Sequence, residues 1–400
     1  MPALSESESY DVLIVGMGPA GATAACTLSQ AGVSVLGLDK QTHPRYKVCG
    51  GGLSARIEHI LGSEFKSVIE HTVHSVLLTY GGKDPILIES SEPFAYMVMR
   101  DRFDHILLEK ARRAGAQVRQ SEQAVNVVES TDGVEVITDR GRYRTKVLIG
   151  ADGANSVVAQ CLFPERRLRR MPTLESEVHI GRSPLYPGEG KALIDIGATR
   201  KGYAWIFPKK ERLSIGLGGF DGRMSNPKRI FQRFIRDEPG MSHLNVPTPL
   251  GHPLPVYSAS GSGTEIAQSL VKPRAVLVGD AGHFVDPLFG EGIYYAVRSG
   301  QMAADSILTF FKDTRRGLMD YQYAVSSEIY PEFHVAARIA DIVYTFPRLC
   351  HRLTSRYQDV MRLYFDVLRG RETYQTFLLK AKRLLKASFH DLVKEAIPFG

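Results

Sequence analysis

The chain has 400 residues, 44% apolar and 23% charged, which excludes disordered and collagen-like classes and allows more than one packed unit. Its four cysteines, Cys26, Cys49, Cys161 and Cys350, lie far apart with no CxxC pair; no metal site is expected, and a reducing, cytoplasmic setting is. The net charge of +7 is uneven: residues 331–400 carry twelve Arg or Lys against seven Asp or Glu, which suits an anionic membrane surface, an anionic substrate, nucleic acid, or simply a solvated helical face.

The acidic start, Met1–Ser9, lacks the basic and apolar regions of a secretory signal. No uninterrupted apolar run reaches membrane-spanning length, and Val12–Leu28 is broken by glycines and Pro19. In chain order, Tyr10–Val15 predicts a buried strand, Ala20–Ala31 a helix stopped by Gly32, and Val33–Leu38 a second strand. This βαβ start implies a parallel sheet. Phe103, Ile106, Leu107 and Ala111 share one helical face in Arg102–Ala114. Gln117–Thr138 holds two strand-like runs around Thr131-Asp132-Gly133, a hairpin signal, and Val147–Ile149 is another short strand. Residues 160–270 look strand-rich, with turns at Pro184, Pro187 and Gly188, and Val276–Val278 returns to the first sheet. Beyond Gly292 the pattern is helical: Gly292–Phe311, Ala336–Val343 and Thr376–Ala396. The last is amphipathic, with Phe377, Leu378, Leu384, Leu385 and Leu392 among Lys380, Lys382, Arg383 and Lys386.

Three motifs carry the chemistry. Gly16-Met17-Gly18-Pro19-Ala20-Gly21 joins the first strand to its helix. Its glycines permit a tight turn, close approach to a pyrophosphate, and helix–strand packing, while the helix N-terminus faces the phosphate charge. Asp39, with Lys40 beside it, ends the second strand, where a carboxylate accepts from an adenosine ribose. The second motif is Gly279-Asp280-Ala281-Gly282-His283, followed by Gly290, Glu291, Gly292 and Ile293 opening a helix. Asp280 there suits ribityl hydroxyls, and N–H groups near Gly292 suit a flavin's pyrimidine edge; a capped βα turn is the plainer reading. The third, Gly150-Ala151-Asp152-Gly153, again ends a strand, with Asp152 suited to polar contacts near the pyrophosphate.

These motifs in this order resemble the flavoprotein family of aromatic hydroxylases and its relatives. The resemblance implies FAD, with Gly16–Gly21 and Asp39 on its ADP half, Asp280 on the ribityl chain and Arg100 near the phosphates. Val157–Gln160 departs from the family, which often has a basic residue there. Within that superfamily, Arg45-Tyr46-Lys47-Val48-Cys49-Gly50-Gly51-Gly52-Leu53-Ser54 and Gly202-Tyr203-Ala204-Trp205-Ile206-Phe207-Pro208-Lys209 resemble the geranylgeranyl reductase branch. The resemblance covers about Tyr10 to Ala304.

Each candidate also has a plain structural reading. Cys49 is either a small packed residue or, beside three glycines that admit a planar ring, part of the reaction site and flavin contact with Gly50 and Gly51. Tyr203 and Trp205 are either core or, at strand period two with Phe207, an aromatic wall for a polyprenyl chain. His283 reads as a turn or core residue; Glu291 as a proton relay or a solvated helix-start residue.

The expected fold is α/β: a Rossmann-type FAD-binding domain (1–160 and 271–310), an inserted β-rich substrate domain (161–270) and a helical C-terminal region (311–400). The expected activity is reduction of isoprenoid carbon–carbon double bonds, with Cys49, Tyr203 and Trp205 at the reacting centre and electrons from NAD(P)H or a ferredoxin. The alternative is a flavin monooxygenase acting on an aromatic or polyketide; a halogenase fits less well because Tyr203 stands where those enzymes have a second tryptophan. Expected partners are an isoprenoid lipid and an anionic membrane surface reached peripherally by the last helix, with no nucleic acid.

Overall fold

A computed structural model of the chain describes residues 8–166, 170–181, 190–219, 224–241, 244–257 and 269–396, with side chains through Lys386. The turn signals at Pro184, Pro187 and Gly188, and the side chain of Leu392, lie outside the described residues.

The first sheet grows from the buried strand Glu8–Val15, whose Val12, Leu13 and Ile14 are fully covered. It pairs in parallel with Val35–Asp39 on one side and Arg142–Gly150 on the other. Gln117–Gln120 extends one edge in parallel and Ala275–Leu277 the other. Both faces of the central strands are buried, so these strands are apolar without alternation. The hairpin Ala124–Glu129 and Val134–Thr138 turns through Thr131-Asp132-Gly133 and pairs with Arg142–Gly150. Three strands end in register, Val15 opposite Gly150 and Gly150 opposite Leu277, so the Gly16, Ala151 and Gly279 turns emerge together. Ligands of open α/β sheets bind at this carboxyl edge.

Two helices aim at that edge. Pro19–Gln30 starts with proline at its first turn, where the missing N–H costs nothing, and continues through Ala and Thr. Ile293–Lys312 lies against it so closely that a Cβ on Gly300 would stand 2.4 Å from the Ala20 carbonyl oxygen. Small facing residues thus bring both N-termini to one place.

The second sheet runs Leu250–Pro255, Arg170–His179, Arg212–Gly219, Gly202–Pro208, Ala192–Asp195, Ser75–Tyr80 and Lys83–Glu89. Its last two strands come from within residues 1–160, the span assigned from sequence to the flavin domain. Alternation identifies a half-buried strand but not the sheet it joins. A small sheet orders Gly52–Ser54, Ala95–Val98 and Ile69–Val73, and Ser75–Tyr80 and Lys83–Glu89 of the second sheet fall within its span of the sequence. The C-terminal helices Tyr330–Thr345, Asp359–Leu368 and Tyr374–Ala396 share a core with the second sheet through Tyr344, Phe365 and Phe377. Phe365 stacks on Phe94 with centroids 3.9 Å apart, a contact that contributes about 1 kcal/mol beyond its burial.

Candidate active site

A cavity of about 760 Å³ opens at the carboxyl edge of the first sheet and extends over one face of the second. That volume falls among small-molecule and cofactor sites. Every residue assigned from sequence to the flavin or the reacting centre lines it except Gly21, which lies beneath Gly16: a Cβ there would be 1.9 Å from the Gly16 carbonyl oxygen. Gly16 itself has φ +95°, and its Cβ would meet the Ala151 carbonyl oxygen at 2.3 Å, so no other residue makes this turn.

The donor set fits a dinucleotide flavin. No side chain caps Pro19–Gln30 or Ile293–Lys312, so the N–H groups that a helix start leaves unpaired are available to a ligand. Asp39 ends its strand at the same edge, accepting from Met17 N at 3.0 Å and Gln41 N at 2.9 Å. Asp280 lies between the two helix starts with its carboxylate 3.7 Å from Lys47 Nζ. Asp152 lines the cavity, yet its carboxylate already accepts from Ser156 Oγ at 2.5 Å and from Val157 N at 2.6 Å. It therefore organises the start of the helix Val157–Leu162, a capping role the strand-then-turn pattern does not reveal.

Arg100, which lines the cavity, already has a protein partner. It is buried, clamps Asp104 through two bonds of 2.7 and 2.8 Å, and faces the Cys49 thiol. Burial opposes charge on Asp104, but Arg100 and then Arg45 hold its pKa below the ordinary carboxylate value. Arg45, 3.1 Å from Asp104, is the guanidinium beside the glycine turn: its Nη2 would lie 3.7 Å from a Cβ on Gly18. Sequence reading gave neither Arg45 nor Asp104 a role. The spacing of Arg100 and Asp104, i and i+4 on one helix, is the signal that joins them. Lys47 Nζ lies 3.3 Å from His252 Nε2, and burial together with Lys47 pushes that imidazole down to about 4, leaving it neutral as an acceptor.

Cys49 Sγ accepts from Gly51 N at 3.4 Å and faces the aromatic strand. Tyr203, Trp205 and Phe207 form a continuous floor, with centroids 5.8 and 6.0 Å apart. Gly216 opposes both Glu175 and Trp205 in the sheet, and Gly218 opposes both Thr173 and Tyr203. Gly216 clears space for the indole: a Cβ there would be 2.1 Å from Trp205 Cζ2. Phe289 continues the floor 5.7 Å from Tyr203, and Tyr364 follows 5.3 Å from Phe289. Met361, Phe365 and Leu368 of the C-terminal helices close this half of the cavity.

Asp286, which sequence reading passed over, shapes the turn that carries Phe289. Fully buried, it accepts from Leu288 N and Phe289 N at 2.8 and 2.9 Å, and burial raises its pKa to about 6. Glu291 is neither solvated nor free to relay: Ser54 and Arg56 both bond it, and Arg56 lies over the Tyr294 ring at 4.0 Å. His283 is a buried turn residue at φ +65°, with burial lowering its pKa to about 3.

A family described as FAD binding domain matches residues 9–323. The chain belongs to this family. It is similar to the geranylgeranyl diphosphate reductase of Rhodobacter capsulatus, 29% identical over 398 residues and covering 89% of this chain and 90% of that one. Among solved structures it is similar to a geranylgeranyl bacteriochlorophyll reductase-like protein of Thermoplasma acidophilum, with TM-score 0.74, 24% identity, and coverage of 85% and 88%. It is also similar to a flavin-dependent brominase, with TM-score 0.72, 18% identity, and coverage of 95% and 100%. The two structural likenesses establish the shared fold, an α/β parallel sheet with an added, largely antiparallel one. No cluster of metal-ligating side chains and no helix long and apolar enough to cross a membrane occur among the described residues.

Proposed function

We propose that this chain is a flavin-dependent reductase that saturates carbon–carbon double bonds of a geranylgeranyl-type isoprenoid chain carried on a lipid, a diphosphate or a quinone. The observation that carries the proposal is the continuity of the cavity: uncapped helix starts and Asp280 at one end, an aromatic and aliphatic chamber at the other, with Cys49 between them. Reductase naming among relatives of matching length supports it.

FAD, once reduced by a hydride from NAD(P)H or by two single electrons from ferredoxin with a proton from water, would supply a hydride. The residues do the rest. Gly16, Gly18, Asp39 and Arg45 hold the adenosine and phosphate portion, and Asp280 with Gly279 the ribityl portion. Tyr203, Trp205 and Phe289 align an unpolarised alkene, whose reaction depends on positioning more than on any one strong acid. Cys49, held by Gly51 and faced by Arg100, marks where the alkene meets the flavin. The buried chamber keeps water from the reacting carbons.

Oxygen dependence separates this chemistry from monooxygenation. Prenyl-substrate consumption that proceeds without oxygen, at the rate seen in air, supports reduction; strict dependence on oxygen with a hydroxylated product overturns it.

The substrate's hydrocarbon tail places the enzyme at a membrane surface. The last helix contributes less to this than its pattern suggests, because Phe377 and Ala381 are buried in the protein's own core. A better anchor is the exposed apolar group Ile342, Phe346, Leu349 and Leu353, which lies at the end of Tyr330–Thr345, at the junction and along Pro347–Arg356. Exposed Arg338, Arg348, Arg352 and Arg356 flank it, with Asp341 the exposed acid among them. Such a surface joins apolar insertion to attraction for anionic lipid, about 1 kcal/mol per cation.

A further inference from the structure

Alkene reduction consumes a proton as well as a hydride, and nothing assigned above supplies it. Cys49 is turned to Gly51 and Arg100; Glu291 is tied to Arg56; Asp280 lies beside Lys47. Among the described acids that line the cavity, the one on the aromatic sheet is Glu175. It occupies the middle of Arg170–His179, in one row with Gly216 and Trp205, and lines the cavity although it is only 1% exposed.

Its surroundings are unusual for a buried carboxyl. Both partners are hydroxyls: Tyr46 Oη donates to it at 2.7 Å and Ser214 Oγ at 3.1 Å. Ser214 in turn receives the Trp205 indole N–H at 3.4 Å, so the chain of polar atoms reaches the aromatic floor itself. The nearby cation is otherwise engaged, since Lys209 bonds Glu177, two residues along the same strand. His252, on the neighbouring strand, is turned to Lys47. Burial first, and the Glu177 charge second, raise Glu175 to about 7, against smaller opposing effects of Tyr46, Lys209 and Ser214. Tyr46, by contrast, is 45% exposed, so the chain runs from water to the chamber wall.

We propose that Glu175 supplies the proton that alkene reduction consumes, and that Tyr46 refills it from water. The proposal rests on the reductase reading above. The balance is simple: hydride adds to one alkene carbon, the Glu175 proton to its neighbour, the π bond is lost and two C–H bonds form. The carboxylate left behind takes a proton from water through the Tyr46 hydroxyl. General acids placed this way contribute about 10²–10⁴-fold in rate.

The test has two readings. Infrared difference spectra of wild-type protein minus Glu175→Gln, taken across pH, report the carboxyl without any turnover. A protonated carboxyl band that fades near neutral pH, and fades at higher pH in Tyr46→Phe, is the expected result; its absence at pH 6 overturns the proposal. Anaerobic single turnover of pre-reduced enzyme with geranylgeranyl diphosphate is the second. Wild-type rates fall as pH rises through about 7, whereas Glu175→Gln is roughly a hundredfold slower and loses that limb, with FAD content unchanged and Glu175→Asp partly restoring both. A Glu175→Gln enzyme that matches wild type in rate and pH profile overturns the role of Glu175 alone. Absence of turnover by wild type on prenyl substrates overturns the reductase reading, and this role with it.

Discussion

Gly216→Ala tests whether the indole of Trp205 is the floor of a substrate chamber. The added methyl would lie 2.1 Å from Trp205 Cζ2 and 2.6 Å from the Leu174 carbonyl oxygen. Leu174 belongs to a paired central strand, so its backbone cannot yield and the indole must lift. On the other side Gly50 limits that movement, because its own Cβ position is already 3.2 Å from Trp205 Nε1. The ring is therefore held between two glycines, and one methyl is an overpacking change worth about 1–3 kcal/mol. Carried into substrate binding, that is roughly a 5- to 150-fold loss of affinity. Calorimetric titration with geranylgeranyl diphosphate, with FAD content and melting temperature measured on the same samples, reads the effect. The expected result is FAD content near wild type, a melting temperature lower by a few degrees and a clear loss of prenyl affinity. A variant that melts and binds as wild type would show that the indole does not form the floor.

Asp280→Ala loses flavin, on the order of tenfold in affinity, because a buried polar partner of the ribityl chain disappears; absorbance after dialysis measures it. Cys49→Ala keeps FAD but slows alkene reduction under excess reductant, and turnover equal to wild type would reduce Cys49 to packing. Phe346→Asp with Leu349→Asp abolishes flotation on anionic vesicles while leaving the melting temperature unchanged, since both side chains are more than half exposed; flotation as strong as wild type would place the anchor elsewhere. Glu175 also affects stability: its folded pKa of about 7 lies above the ordinary 4.5, so the folded state keeps a proton that the unfolded state releases. Stability then falls as pH rises through that window, and Glu175→Gln flattens the fall, as urea unfolding at pH 5 and 8 would record.

Much of the flavin half was legible in the sequence because its constraints are local. Gly16 must adopt positive φ, Pro19 must open a helix, and buried strands must be apolar on both faces; each leaves a mark within a few residues. The aromatic strand was legible too, since period two alone puts Tyr203, Trp205 and Phe207 on one face. What escaped depends on contacts between distant segments. Asp152 and Asp280 each follow a strand end and line the cavity, yet the carboxylate of the first caps a helix and that of the second lies beside Lys47. Ser75–Tyr80 alternates like any strand, and its partner Ala192–Asp195 lies more than a hundred residues away. Phe377 and Leu384 belong to the same amphipathic pattern, but packing buries the first and leaves the second exposed. Glu175 was invisible because its chemistry comes from Tyr46, Ser214 and Glu177, and only the fold brings Tyr46 and Ser214 to it.

The central claim is that flavin site and aromatic chamber are two ends of one alkene-reducing site. Its most direct measurement is anaerobic mixing of fully reduced, bleached enzyme with an equimolar geranylgeranyl substrate, following colour and product mass together. The account predicts that the yellow of oxidised FAD returns as the product gains two hydrogens per double bond, one bond saturated per flavin reoxidised. Colour that stays bleached until oxygen is admitted, with the prenyl chain unchanged or hydroxylated, would contradict it.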